Sequence, residues 1–235
     1  MIINDIPSDT KYTVDFDSKK PRFTVAYWST RGLGAPIRMM LCAKKMTHEV
    51  VLYDLVDGPN EQQPWAADWY GHKAKLSEID PLINLPFVVD CKKDDDHVMI
   101  CQSNAVLAYV GKEIGMYGET KVEAAKCDEF LCEIYDLREE MFDFVYKTDG
   151  SPDAAKTVVG NATKHLDKLE MHLSKKENKT FLVGNKMSAP DFPLFEMLDQ
   201  FQACCEYYKL DDFYASYPSL KEFKTGFEQL RYVYL

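Results

Sequence analysis

Basic residues are in deficit: 28 Lys and Arg stand against 38 Asp and Glu, a formal net charge of -10 in 235 residues. That balance disfavours nucleic acid and anionic membrane as partners, because both reward a basic face. No apolar run is long enough to span a bilayer. The seven cysteines (Cys42, Cys91, Cys101, Cys127, Cys132, Cys204, Cys205) contain no CxxC, and the five histidines show no HExxH or other metal spacing, so no metal is expected. An odd, scattered cysteine set reads as reduced, mostly buried thiols in an intracellular, cytoplasmic protein. Residues 1–22 are polar, with four Asp in the first twenty residues and no hydrophobic segment. They read as an extension, neither a secretory signal nor a transit peptide.

What is present is a core-forming composition, 46% hydrophobic and 13% aromatic, enough for one large or two small domains. The organising stretch is Met99–Val110, MICQSNAVLAYV. A short apolar run predicts a strand. It stops at Gln102-Ser103-Asn104, and Val106, Leu107, Val110 and Ile114 then follow a helical period. Ser103 is placed to be the helix N-cap. The free N–H groups of the first turn, at the positive end of the helix dipole, would favour a carboxylate.

Upstream, Arg22–Tyr27 reads as a strand, 28–34 as a loop and Ala35–Cys42 as a helix with Pro36 in its first turn. His48–Leu52 is the next strand. Val56–Lys75 lacks clear periodicity and reads as a long binding loop. Asn84-Leu85-Pro86 leads into another strand, and Lys92–Asp96 reads as the solvated tip of a hairpin. The order β-α-β-β-β-α predicts a four-stranded sheet flanked by helices over residues 23–117. From 118 to 235 strand signals vanish and long helical periods take over, at Glu123–Tyr146, Pro152–Leu173, Asp191–Tyr208 and Leu220–Tyr232. Ser188-Ala189-Pro190-Asp191 reads as a capping box, with Met187 and Phe192 as its hydrophobic staple.

Four motifs come in one register: Ala26-Tyr27-Trp28-Ser29-Thr30-Arg31-Gly32-Leu33, Asn84-Leu85-Pro86, Gln102-Ser103-Asn104-Ala105, and Val183-Gly184-Asn185-Lys186 followed by Asp191-Phe192. In this the chain resembles the cytosolic glutathione transferases, the mu class first, then pi and sigma, over about Phe23 to Tyr234. The resemblance implies a thioredoxin-like N-terminal domain, an all-helical electrophile-binding domain, a homodimer, and glutathione as co-substrate. It implies that Tyr27 is the catalytic tyrosine, with Trp28 and Leu33 beside glutathione and the electrophile. Asn84, Leu85, Gln102 and Ser103 would bind the tripeptide. Leu85 would offer its backbone across a cis bond to Pro86, and Ser103 would receive the γ-glutamyl carboxylate. Trp69 and Lys73 would hold the glycyl carboxylate, with Trp65 a rival for the tryptophan role. Asp136 would reach the partner subunit's glutathione, and Tyr146 would line the electrophile pocket.

The chain departs from the pattern in places. Pro81-Leu82-Ile83 lacks the aromatic that some members lodge in their partner, and Ala108 stands where Arg is frequent. Leu235 falls short of the tail that closes the mu pocket, so an open or differently walled pocket is expected. The expected activity is conjugation of the glutathione thiolate to small hydrophobic electrophiles in detoxification. The alternatives are a sigma-like glutathione-dependent isomerase, or a non-catalytic binding or structural protein on the same fold.

Overall fold

In the computed structural model, residues 10–60, 63–66, 68–91 and 97–230 are described. The expected hairpin tip at Lys92–Asp96 lies outside them. The chain folds as two compact units, Met1–Val110 and Gly111–Leu235.

The first unit is built on a five-stranded sheet with strands in the order β1-β3-β2-β6-β7. Its elements are β1 (Thr10–Val14), β2 (Phe23–Trp28), α1 (Ala35–Ala43), β3 (His48–Tyr53), a small hairpin of β4 (Val56–Asn60) and β5 (Gln63–Ala66), α2 (Trp69–Leu76), β6 (Phe87–Cys91), β7 (His97–Cys101) and the start of α3 (Ser103–Glu113). Strands β2 and β3 pair in parallel around α1, while β6 and β7 add antiparallel on the other side of β2. Phe23, Val25, Ala26, Val50, Val51, Phe87 and Val88 are fully buried. These runs are apolar on both faces, as a sheet covered on both sides requires.

Two features differ from the sequence reading. The 56–75 stretch is a hairpin and a helix rather than a loop. The polar extension contributes an edge strand: β1 lies antiparallel on β3, from Thr10 opposite Leu52 to Val14 opposite His48. Lys11 pairs with Glu49 at 3.2 Å. Thr47 Oγ1 accepts from the Phe16 amide at 3.0 Å and donates to Asp17 at 2.8 Å. Neither feature has the hydrophobic period that betrays a strand.

Helix α3 is tied to the sheet by a buried carboxylate. Asp90 of β6 takes a two-pronged contact from Arg22, at 2.8 and 2.7 Å, and the Tyr109 hydroxyl donates to it at 2.9 Å. Such paired, charge-assisted bonds fix orientation as well as adding energy.

The second unit is helical: α4 (Lys121–Lys147), α5 (Pro152–Ser174), α6 (Asp191–Tyr208), a 3-10 turn at Phe213–Ser216 and α7 (Pro218–Glu228). Local chemistry sets these starts. Thr120 and Glu123 form a reciprocal capping box on α4, and Ser151 caps α5 ahead of Pro152. Helix α6 is buried all round from Asp191 to Leu198, and Phe192, Phe195 and Phe223 gather on Phe227 with ring centroids 5.2–5.7 Å apart. Ser188–Asp191 forms only half of the expected box. The Asp191 carboxylate accepts from the Ser188 amide at 2.7 Å, but Ser188 Oγ also donates to that carboxylate, at 3.1 Å. The regular helix therefore starts at Asp191. The carboxylate's other oxygen accepts from the Leu182 amide at 2.7 Å, pinning the 182–188 loop.

Two predictions follow from these contacts. Deleting residues 1–16 exposes the apolar edge of β3, an open template for strand addition. Light scattering at matched concentration should show larger, concentration-dependent species; an unchanged mass would contradict the edge-cover role. Burial pushes the Asp191 carboxyl up to about 7 against neighbouring donors that lower it. A group that binds its proton more tightly when folded favours folding below its unfolded value, and that contribution is lost as pH rises through the folded one. In chemical denaturation, the unsubstituted chain should therefore lose stability relative to Asp191→Asn between about pH 4 and pH 7. A flat or opposite trend would contradict this.

Candidate active site

The sheet register gathers the motif residues at one end of the first unit. Ala26 stands opposite Val51 on β3 and Phe87 on β6, and Phe87 stands opposite Cys101 on β7. Tyr27 and Trp28 follow this row, Leu85 and Pro86 precede it, and Gln102 and Ser103 follow it on the outer strand. Three turns distant in sequence are thus neighbours.

Tyr27 is 6% exposed and belongs to a buried cluster with Val51, Tyr53, Trp69, Leu85 and Phe87, against which Trp28 and Leu33 pack half-buried. Its ring root lies under Gly34 and its hydroxyl beside Gly32. A Cβ on Gly34 would stand 2.6 Å from the Tyr27 Cβ, and one on Gly32 would stand 2.7 Å from the hydroxyl. Gly32 is half-buried and adopts φ +34°. The phenol therefore runs from the core out to the β2–α1 loop. Arg31 O accepts from the Ala35 amide at 2.8 Å ahead of α1, and Gly34 O accepts from the Arg38 amide at 3.2 Å to close its first turn.

The Leu85–Pro86 bond is cis. Leu85 and Pro86 are buried, while Asn84 is exposed. At the β7–α3 turn, Val106 N donates to Gln102 O at 2.9 Å. Gln102 rather than Ser103 is therefore the flanking residue of α3, and Ser103 is its first helical one. Gln102 adopts φ +70°, a left-handed conformation costly for a side chain with a Cβ and concentrated at functional sites. Ser103 is buried and Gln102 exposed.

Trp69 is 2% exposed, its ring against Tyr53 at 5.3 Å and stacked on Phe87 at 6.0 Å. It is a packing residue as well as a candidate ligand. Lys73, one turn on, places its ammonium 6.0 Å from the Trp69 ring centre. The Trp65 side chain lies outside the described residues, although its backbone pairs with Asp57 in the β4–β5 hairpin. Asp136 and Tyr146 sit on α4 in the second unit. Asp136 is exposed, and Tyr146 is 78% exposed with Phe142 beside it at 5.9 Å.

The neighbouring thiols are poorly suited to nucleophilic work. Cys101 donates to Leu82 O at 3.0 Å, and burial and Asp80 raise its pKa. Burial pushes Cys42 up to about 11. Among the described residues no group of three or more His, Cys, Asp or Glu could hold a metal, and no helix is long and apolar enough to cross a membrane. Sequence reasoning missed Gly34 and the Tyr53–Trp69–Phe87 stack, whose contacts join residues far apart in the chain.

A mixed sheet with a buried phenol, a cis-proline turn and a helix start at one end, followed by an all-helical unit, defines a thioredoxin-like domain with a helical partner domain. Residues 135–233 match the family model described as "Glutathione S-transferase, C-terminal domain". The chain is 31% identical over 210 residues to Glutathione S-transferase Mu 1 of Oryctolagus cuniculus, covering 88% of this chain and 86% of that protein. It is 30% identical over 211 residues to Glutathione S-transferase Mu 6 of Mus musculus, covering 88% and 87%. The chain belongs to the glutathione S-transferase family. Its fold also matches the solved Pi-class glutathione S-transferase of Onchocerca volvulus, with a TM-score of 0.66 at 23% identity and 90% of each chain covered.

Because Cys132 is the one exposed thiol of the seven, a soluble thiol reagent should label one cysteine quickly and the others slowly, as counted by intact-protein mass. Fast labelling of Cys101 would contradict the raised, hydrogen-bonded state described above.

Proposed function

We propose that this chain conjugates the thiolate of glutathione to small hydrophobic electrophiles, with Tyr27 as the residue that keeps the sulfur ionised. The observation that carries this reading is the sheet register, which sets the Tyr27 phenol, the Leu85–Pro86 turn and the start of α3 side by side.

Glutathione brings two carboxylates, an amine and a thiol. The α3 amides and the Ser103 hydroxyl suit the γ-glutamyl carboxylate at the positive end of the helix. The Lys73 ammonium suits the glycyl carboxylate, held by its aromatic neighbour Trp69. The Leu85 backbone suits the cysteinyl peptide unit. The γ-glutamyl amine is left for an acid, and Asp136, exposed on α4, serves it from the partner subunit of a homodimer.

An ordinary thiol has a pKa of ~8.5, so little is thiolate at neutral pH. Lowering it by ~2 units needs ~2.7 kcal/mol of preference for the charged form. One charge-assisted hydrogen bond of ~1.5–3 kcal/mol from the Tyr27 hydroxyl is of that size. The thiol proton leaves to solvent. Sulfur then attacks the electrophilic carbon, a C–S bond forms, and with an aromatic halide the carbon–halogen bond breaks to release halide. Trp28 and Leu33, packed on the Tyr27 cluster, supply apolar surface for the electrophile. Removal of toxic electrophiles is the role that fits this chemistry.

The test is retention on immobilised glutathione followed by thiol consumption with a small aromatic halide. Tyr27→Phe should lower kcat/KM by about ten- to a hundredfold and leave glutathione affinity within about twofold. Ser103→Ala should weaken glutathione binding about tenfold. Unchanged turnover in the first variant would remove Tyr27 from the chemistry, and unchanged affinity in the second would remove the α3 site. Glutathione recovered unconsumed while product forms would point to isomerisation instead.

A further inference from the structure

We propose that Gly34, with Gly32, is a positioning residue for the Tyr27 phenol; this rests on the reading of Tyr27 as the thiolate-stabilising group. The two glycines line one edge of the same ring. A Cβ on Gly34 would meet Tyr27 Cβ at 2.6 Å and Cγ and Cδ1 at 2.7 Å. A Cβ on Gly32 would meet the hydroxyl at 2.7 Å, Cε1 at 2.9 Å and Cζ at 3.2 Å. Together they cover the edge from Cβ through Cδ1 and Cε1 to the hydroxyl, so bare backbone runs along the whole phenol.

The two positions need glycine for different reasons. Gly32 has φ +34°, where a side chain is strained whatever the space. Gly34 has φ -82° and ψ -31°, an ordinary helical conformation open to any residue. It stands at the N-cap of α1, where Ser, Thr, Asp or Asn would satisfy a free amide, yet no side-chain cap is made there. Backbone preference does not call for glycine at 34; the closeness of the Tyr27 ring does. The atoms met are the root of a buried ring whose own backbone is held in β2 between β3 and β6. Neither side can yield without swinging the phenol or lifting the first turn of α1. Either movement displaces the hydroxyl, and a misplacement of about 1 Å can cost as much as 10²-fold in rate.

The experiment combines Gly34→Ala and Gly32→Ala, each alone and each with Tyr27→Phe. The apparent pKa of the bound glutathione thiol is read from its ultraviolet thiolate absorbance. Turnover of a small aromatic halide, glutathione affinity and the thermal transition are read beside it. Gly34→Ala should move the bound thiol's pKa up toward its free value of ~8.5 and lower kcat/KM by about ten- to a hundredfold. Glutathione affinity should stay within about twofold. Added to Tyr27→Phe, the same substitution should change neither pKa nor turnover by more than about twofold, because groups acting as a unit are not additive.

A Gly34→Ala protein with an unshifted thiol pKa overturns the proposal. So does an equal further loss in the Tyr27→Phe background, which would mark a merely structural glycine while leaving Tyr27's role intact. Tyr27→Phe with a bound-thiol pKa still as low as in the unsubstituted protein would overturn both readings. Should Gly34→Ala lose its cooperative thermal transition, Gly32→Ala decides the matter, since its methyl meets the hydroxyl end of the ring. There an unshifted thiol pKa, or a loss undiminished by Tyr27→Phe, overturns the proposal.

Discussion

The structure depends on the hydrogen-bond register of the mixed sheet. Side chains alternate faces along a strand, so a slip of one residue between β2 and β6 would send Tyr27 to the opposite face. The observed register sets Ala26, Val51, Phe87 and Cys101 in one row, and the groups read as the active site are those just beyond it. Buried apolar strands hold that register, because sliding any of them would unseat Val25, Val50 or Val88 from the packing that buries each fully. The β1 strand extends the sheet on β3 and closes the edge that would otherwise lie open.

Beyond the row, each turn meets a different demand. The β2–α1 loop must pass close to a ring, and it does so with glycines. The turn before β6 presents Leu85 backbone through a cis proline. The β7–α3 turn must leave the strand and start a helix at once, and Gln102 takes a left-handed conformation to do it. Helix α3 is then fastened by the Tyr109–Asp90–Arg22 contacts, which steady the amides at its start. In the helical unit, Asp191 does comparable work for the 182–188 loop and the start of α6. A charge-capable group is buried where two backbone donors converge, and its burial raises its pKa.

Local chemistry made much of this legible in the sequence. The expected helix over Asp191–Tyr208 matches α6 to the residue, and Pro152 marks the start of α5. Strands β2, β3, β6 and β7 of the five-stranded sheet were readable from their apolar runs. What could not be read was set by distant partners. Thr10–Val14 is a strand because β3 offers it an edge, and its own pattern is polar. The β4–β5 hairpin carries Gly58 and Pro59, which read as loop residues. Ser103 has the chemistry of an N-cap, but the positive φ of Gln102 shifts that role back one residue. The motifs of the candidate site were visible as residue types. Their convergence was not, because it lies in the pairing of four strands. Nor did the loop sequence disclose the nearness of Gly34 to Tyr27, which only the packed ring shows.

The most direct test of the account is the position of sulfur in a crystal structure of the protein with bound glutathione. The account predicts the sulfur within hydrogen-bond reach of the Tyr27 hydroxyl, about 3–3.5 Å away, and the γ-glutamyl carboxylate on the first amides of α3. A sulfur pointing away from Tyr27, or a tripeptide bound without touching the start of α3, would contradict it.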